Sequence, residues 1–201
     1  VTVIKAEARF VDARTVEAGE MQIRAQRFVI ATGSSPVIPP VPGFEQTPYF
    51  TNQTIFDNTA PLEHLIVVVG GSIGAELAQA HRHLGCRVTI VEMFSLLGND
   101  DPELADIVRI RLRRDGIDLH EGAKITAVAA RDGGIEVGFE ADGKGETVAG
   151  SHLLVAAGRG ANVDGLGLER AGIEYSRTGI VVDFRLRTTN RRVFAIGDAA
   201  T

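Results

Sequence analysis

The sequence contains no tryptophan and only one cysteine, Cys86. A single cysteine excludes a disulfide bond within the chain, and cysteine-poor chains are typical of reducing compartments, so we expect a cytoplasmic protein. Cys86 lies directly before an apolar segment, and we interpret it as a small core residue rather than as a reactive thiol.

Positive charge is also scarce, because 21 lysines and arginines stand against 26 acidic residues, for a net charge of −5. This balance does not favour nucleic-acid binding. No apolar run approaches the length of about 20 residues that a membrane-spanning helix needs, so we expect no membrane partner. The histidines show no metal-ligand spacing, and we predict no metal site. They are His64, His81, His83, His120 and His152.

The chain has 201 residues, which is enough for one large domain or two small ones. It begins at Val1 without an initiator methionine and stops abruptly after Thr201. We therefore expect an internal segment of a longer protein.

The most informative stretch is residues 64–93, which read HLIVVVGGSIGAELAQAHRHLGCRVTIVEM. An apolar run over residues 65–69 suits a parallel strand that is buried on both faces. A glycine turn follows at residues 70–74, then a helical pattern, and then a second apolar strand that ends in Glu92. This order of strand, glycine turn, helix, strand and acid is typical of a dinucleotide-binding βαβ unit.

Each part of this βαβ unit has a physical role in binding a dinucleotide. A helix N-terminus offers unpaired N–H groups and a positive dipole end, so a pyrophosphate binds there well. Gly71 lets the backbone approach the phosphates, and Gly74 lets the helix pack close to the strand. Glu92 is placed to accept hydrogen bonds from the adenosine ribose hydroxyls and to repel a 2′-phosphate. The unit therefore predicts NAD rather than NADP.

One position departs from the G-x-G-x-x-G pattern, because Val69 stands where the first glycine is expected. A β-branched residue does not easily adopt a positive φ. We expect either a strand that runs one residue longer or weaker cofactor binding.

Outside residues 64–93, the hydrophobic pattern predicts further strands and a second helix. Residues 1–30 alternate as a small antiparallel meander, whose first strand spans residues 2–11. Four prolines at residues 36–42 indicate a linker. Strands at residues 124–130, 135–140 and 146–149 form a second meander. Apolar positions of the first helix are Ile73, Leu77, Ala80 and Leu84.

The second helix is predicted over residues 102–115, with Asp101 as its N-cap. Its apolar face consists of Leu104, Ile107, Val108 and Leu112. Its arginines are interpreted as a solvated face beside the negative end of the helix dipole. These arginines are Arg109, Arg111, Arg113 and Arg114.

Four motifs in order and spacing resemble the pyridine nucleotide-disulfide oxidoreductases, the group of dihydrolipoamide dehydrogenase, glutathione reductase and mercuric reductase. Residues 31–33 resemble the family's ATG turn, and residues 70–92 resemble its NAD-binding unit. Residues 158–162 resemble its G-R-x-P-N segment, and residues 195–198 resemble its A-x-G-D motif. The resemblance covers essentially the whole chain.

The resemblance implies an α/β fold: a Rossmann-like NAD-binding domain with a three-stranded antiparallel meander, together with partial FAD-domain segments. Residues 1–45 would be the C-terminal part of the first FAD-domain segment, 46–159 the NAD-binding domain, and 160–201 the return to the FAD domain. FAD and NAD would be the cofactors. The parent enzyme would pass hydride from NADH to flavin and on to a disulfide-type acceptor, small molecule or protein. It would dimerise through a domain absent here.

The resemblance also implies site residues but no catalytic residue within this chain. Glu76 would lie near the nicotinamide, and Asp198 would hydrogen-bond the ribityl chain of FAD. The NAD site would comprise Gly70, Gly71, Ser72, Ile73, Gly74, Glu76, Glu92 and Gly158. The FAD site would comprise Thr32, Gly33, Arg159, Gly197 and Asp198.

Two alternatives remain open at this stage. One is a flavoprotein of the same architecture without a redox disulfide, such as an NADH oxidase or a ferredoxin reductase. A C-x-x-x-x-C pair upstream of Val1 would separate it from the first interpretation. The other is a nucleotide-binding module that, as an isolated segment, has no catalysis of its own.

Overall fold

The computed structural model describes residues 1–68 and 71–201. The chain divides into two compact units. Unit 1 comprises Val1–Ser35 and Arg159–Thr201, and unit 2 comprises Pro36–Gly158.

Short strands dominate the described residues. In chain order they are β1 (Ala8–Asp12), β2 (Thr15–Ala18), β3 (Met21–Arg24), β4 (Phe28–Ile30), β5 (Ser34–Pro36), β6 (Phe50–Thr51), β7 (His64–Val68), β8 (Arg87–Val91), β9 (Asp118–His120), β10 (Lys124–Arg131), β11 (Gly134–Ala141), β12 (Lys144–Gly150), β13 (His152–Val155), β14 (Arg159–Ala161), β15 (Tyr175–Ser176), β16 (Gly179–Ile180) and β17 (Val193–Ala195). The α-helices are α1 (Ser72–His83) and α2 (Pro102–Arg114). Single 3₁₀ turns lie at Phe44–Gln46, Ile55–Asp57, Leu168–Ala171 and Gly197–Ala199.

Unit 2 is built on a parallel sheet with the strand order β6-β13-β7-β8-β9. Every residue of β7 is buried, as expected for a central strand covered on both faces. Val68 is in register with Val91 of β8 and with Val155 of β13, so these three strands end at one edge. The chain runs from β7 through α1 to β8, whereas β13 lies on the other side of β7. This reversal is a topological switch point, where open α/β sheets bind ligands.

A three-stranded antiparallel meander, β10-β11-β12, connects β9 to β13 and confirms the predicted crossing segment. Its central strand places Val137 and Phe139 in a buried cluster with Ile66 and Val68 of β7. The meander therefore covers one face of the parallel sheet, and α1 packs against β7 and β8. This mixed α/β architecture confirms the predicted fold class.

The predicted inner face of α1 is wrong in detail. The buried residues of α1 are Gly74, Ala75, Leu77 and Ala78, whereas Ala80 and Leu84 are exposed. Leu77 and the half-buried Ile73 lie on the contact face as predicted. The remaining contact residues are small, and they let the helix axis approach the sheet closely. Leu84 is the C-cap residue of the helix.

Asp101 caps α2 as predicted, because its Oδ1 accepts hydrogen bonds from the backbone N–H groups of Glu103 and Leu104. The predicted apolar face is wrong for two of its four members. Leu104 and Ile107 are each 63% exposed, while Ala105 and Leu112 are buried. Hydrophobicity alone did not identify Ala105 as a contact residue.

Unit 1 contains the antiparallel meander β1-β2-β3 and the parallel pair β4 and β17. β14 pairs with β5, and β15 pairs with β16. Their buried cluster includes Phe10, Ile30, Leu168, Ile180 and Val193. The predicted first strand, residues 2–11, is shorter in the structure, because residues 2–7 form no ladder with any described strand.

The prolines at residues 36–42 lie within unit 2 rather than in a free linker. Val128 N donates to Pro42 O, and Ile38, Val41 and Phe44 contribute to the cluster beneath the meander. Unit 2 begins at Pro36, ten residues before the predicted start of the NAD-binding domain at residue 46. None of the helices in the described ranges has the length and apolar character needed to cross a bilayer.

Candidate functional site

The N-terminus of α1 is open to a ligand. Gly71 is its N-cap with φ −69° and ψ 178°, and no described side chain caps the helix. Gly71 and Ser72 are exposed, and a Cβ added at Gly71 would meet none of the described atoms within 4 Å. The N–H groups of the first turn, which have no partner inside a helix, are thus available for an anion such as a pyrophosphate.

The other residues of the predicted glycine turn have different positions. Gly74 is buried and Ile73 is half-buried, so both belong to the packing of α1 rather than to its open end. Val69 and Gly70 lie outside the described residues. Glu76 is exposed one turn after Ser72, on the rim of a cavity of about 240 Å³ between α1 and α2.

Glu92 directly follows β8 and is only 4% exposed. Its Oε1 accepts a 2.8 Å hydrogen bond from the backbone N–H of Phe94. Its backbone N donates to His120 O at 2.8 Å, and its carbonyl accepts from Ala123 N at 2.9 Å. An ionised carboxylate has about four acceptor positions, so this orientation is compatible with a ribose hydroxyl as a further donor.

Gly158 follows β13 at the same edge of the sheet. Its φ is +100°, a conformation that favours glycine, and its carbonyl accepts from Val37 N. Ala156 N donates to Val68 O, so the segment after β13 lies beside the end of β7. The structure therefore brings the open end of α1, Glu92 and Gly158 to the carboxyl edge of one parallel sheet. These residues fit a dinucleotide.

A second cluster, in unit 1, joins three polar side chains. Ser34 Oγ donates to Asp198 Oδ2 at 2.6 Å, and Arg159 Nε donates to Ser34 Oγ at 2.7 Å. Arg159 Nε also lies 3.8 Å from Asp198 Oδ2. The Asp198 side chain remains 64% exposed, so its carboxylate is oriented by Ser34 and accessible to a ligand hydroxyl. These residues fit the polyol chain of a flavin.

The adjoining turn is held by reciprocal hydrogen bonds. Thr32 Oγ1 donates to Asn162 O at 2.8 Å, and Asn162 Nδ2 donates to Thr32 O at 2.9 Å. Gly33 and Gly197 have φ of +67° and +66°, which explains glycine at both turns. All five residues predicted for the flavin thus lie in unit 1, around this cluster.

Sequence reasoning missed Ser34. The one signal available was a serine that directly follows Gly33 and opens the short strand β5. Ser34 is 9% exposed, and a buried hydroxyl needs a hydrogen-bond partner.

Comparison with known proteins decides the family. The family model described as pyridine nucleotide-disulphide oxidoreductase matches residues 1–201. The chain belongs to this family.

Its relatives include enzymes with different names. A mercuric reductase of Lysinibacillus sphaericus is 37% identical over 198 residues, which is 97% of this chain and 36% of the relative. A dihydrolipoyl dehydrogenase of Geobacillus stearothermophilus is 35% identical over 210 residues, which is 98% of this chain and 43% of the relative. The chain thus spans well under half the length of these relatives.

Solved structures agree with this assignment. The HOCl-induced flavoprotein disulfide reductase RclA from Escherichia coli superposes with a TM-score of 0.91 at 31% identity. The match covers 98% of this chain and 46% of that chain. The resemblance inferred from the four motifs is confirmed.

Proposed function

We propose that the full-length protein oxidises NADH and passes the electrons through bound FAD to a disulfide or a related acceptor. The observation that carries this proposal is the convergence of the open end of α1, Glu92 and Gly158 at the carboxyl edge of the parallel sheet. Family membership and the Ser34–Asp198–Arg159 cluster support the flavin part.

In this proposal unit 2 holds NADH. The N–H groups that follow Gly71 bind the pyrophosphate, and Glu92 accepts the ribose hydroxyls. The same carboxylate opposes a 2′-phosphate by like-charge repulsion, which favours NADH over NADPH. Glu76 and Gly158 line the path of the nicotinamide half.

Unit 1 holds part of the flavin. Asp198 accepts hydrogen bonds from the ribityl hydroxyls, while Ser34 and Arg159 fix its carboxylate. Thr32, Gly33 and Gly197 shape the turns around it. When bound, the flavin would supply the two-electron redox chemistry between NADH and the acceptor, and the residues of unit 1 would hold and orient it.

The final acceptor contacts residues outside this chain. Cys86 is the only cysteine of the sequence and is buried, and burial raises the pKa of its thiol. Cys86 is therefore unsuited to act as a thiolate, and a redox disulfide must be provided by cysteines elsewhere in the protein. The structurally similar RclA from Escherichia coli is a flavoprotein disulfide reductase, and this similarity favours such a pair.

The test uses the purified full-length protein under anaerobic conditions. We expect bound flavin whose visible absorbance is bleached by one equivalent of NADH and restored by a disulfide substrate. A panel with lipoamide, glutathione disulfide, mercuric ion and oxygen then identifies the acceptor class. Reoxidation by oxygen alone would favour an NADH oxidase, and a protein that binds NADH without bleaching would be a nucleotide-binding module.

A further inference from the structure

Leu96 anchors the loop between Glu92 and α2. The Leu96 side chain is fully buried. Its backbone N donates to Glu121 Oε1 at 2.9 Å, and its carbonyl accepts from an Arg109 NH2 group at 2.6 Å. Both backbone groups of this residue are therefore bound by charged side chains from other elements.

Those two side chains bind each other as well. Arg109 Nε donates to Glu121 Oε1 at 2.8 Å, and the Arg109 side chain is only 15% exposed. Arg113 donates to the other oxygen of Glu121 at 3.0 Å, and Asp106 accepts from Arg109 at 2.5 Å. The planar guanidinium reaches Glu121, Asp106 and Leu96 O together, a geometry that the single ammonium of lysine does not reproduce.

The segment that carries Glu121 also holds the residues beside Glu92. Gly122 N donates to Phe94 O at 2.8 Å, and Ala123 N donates to Glu92 O at 2.9 Å. Phe94 N in turn donates to the Glu92 carboxylate. Movement of the loop would therefore turn the carboxylate away from its present orientation.

We propose that Arg109 and Glu121 are positioning residues that set the Glu92 carboxylate and thereby the preference for NADH over NADPH. This inference rests on the proposed function, in which Glu92 binds the adenosine ribose. Arg109 and Glu121 act through Leu96 and Phe94 rather than by touching the nucleotide. A carboxylate that is already held in the binding orientation accepts the ribose hydrogen bonds more tightly than one that becomes ordered only on binding.

The test measures flavin reduction in the full-length holoprotein by stopped flow, with NADH and NADPH in separate series. The variants are Arg109→Gln, Glu121→Gln and the double variant. We expect the apparent Kd for NADH to rise about tenfold, with the limiting rate and the apparent Kd for NADPH little changed. The double variant should lose no more NADH affinity than either single variant, because both residues act in one network. Arg109→Lys is the milder variant if Arg109→Gln does not fold.

Arg111→Gln is the matched control, since Arg111 lies on the same helix but pairs with Asp115. It should leave the nucleotide preference at the wild-type value. Folded Arg109 and Glu121 variants with wild-type preference would overturn the inference, as would an equal loss for both nucleotides. A wild-type protein whose flavin NADH does not reduce would overturn the proposed function, and this inference with it.

Discussion

Ser34 Oγ donates a 2.6 Å hydrogen bond to Asp198 Oδ2, although 164 residues separate the two in sequence. Because the single hydroxyl proton goes to Asp198, Ser34 accepts the hydrogen bond that Arg159 donates. A buried serine thus links a cation to an exposed carboxylate and fixes the direction of that carboxylate.

Ser34→Ala should therefore weaken flavin binding. Loss of one hydrogen bond to a charged group costs about 1.5–3 kcal/mol, or roughly tenfold or more in affinity. The measurement is the Kd of FAD for the deflavinated full-length protein, followed by quenching of flavin fluorescence. Ser35→Ala is the matched control, since Ser35 is the exposed neighbour. Equal affinities for the two variants would contradict the assigned role of Ser34.

Glu92→Gln should narrow the preference for NADH. The amide removes the charge that opposes a 2′-phosphate and keeps an oxygen that accepts from Phe94 N. We expect the ratio of the two nucleotide affinities to fall by about tenfold, which corresponds to about 1.4 kcal/mol. Calorimetry with NADH and NADPH measures the ratio, and Glu140→Gln, on an exposed position of β11, controls for loss of one negative charge. An unchanged ratio of the NADH and NADPH affinities would contradict the placement of Glu92 at the adenosine ribose.

We expect His64 to make the free energy of unfolding depend on pH. It is buried in β7, its Nε2 lies 2.9 Å from Thr89 Oγ1, and its Nδ1 has no partner among the described residues. Burial lowers the pKa of the imidazole, and the nearby Arg87 adds to this effect. As pH falls through about 6.5, the unfolded chain binds a proton that the folded chain does not. The free energy of unfolding should therefore decrease, by at most about 1.4 kcal/mol per pH unit.

The check is the thermal midpoint between pH 8 and pH 5. The pKa of His64 is lower in the folded chain than in the unfolded chain. The stability that the neutral imidazole contributes is therefore complete above about pH 6.5 and is lost as the pH falls below that value. His64→Gln removes the titration and should flatten the profile in that range. His152→Gln on the neighbouring β13 is the control for loss of an imidazole. If the thermal midpoints of wild type and His64→Gln changed with pH in the same way, His64 would not contribute to the pH dependence of stability.

The βαβ unit could be predicted because its signals are local. Continuous apolar runs mark β7 and β8, glycines mark the turn, and Glu92 follows directly on the second strand. The contact face of α1 was predicted only in part. Gly74 and Leu77 are buried as their positions indicated, but hydrophobicity did not identify Ala75 and Ala78, which close helix–sheet packing selects for their small size.

The roles of Arg109 and Ser34 could not be predicted, because the partners that hold them lie on other segments of the chain. The prediction that the α2 arginines form a solvated face is wrong for Arg109, which is held by Glu121 and Leu96 O. Likewise Ser34 meets Asp198 only after the chain returns to unit 1. No periodicity or spacing within one element records such partners.

The most direct test of the account concerns Gly71. Its φ of −69° suits alanine, and an added Cβ would meet no described atom within 4 Å, so Gly71→Ala should fold normally. The same methyl group would lie where the pyrophosphate approaches the backbone. Gly145→Ala, a control in the meander, also adds a methyl group in open space.

Calorimetric titration of both full-length variants with NADH measures the difference. We expect wild-type thermal stability for both variants. The NADH affinity should fall about tenfold or more in Gly71→Ala, which corresponds to about 1.4 kcal/mol, and should be unchanged in Gly145→Ala. Wild-type NADH affinity in a folded Gly71→Ala protein would contradict the placement of the nucleotide at the N-terminus of α1.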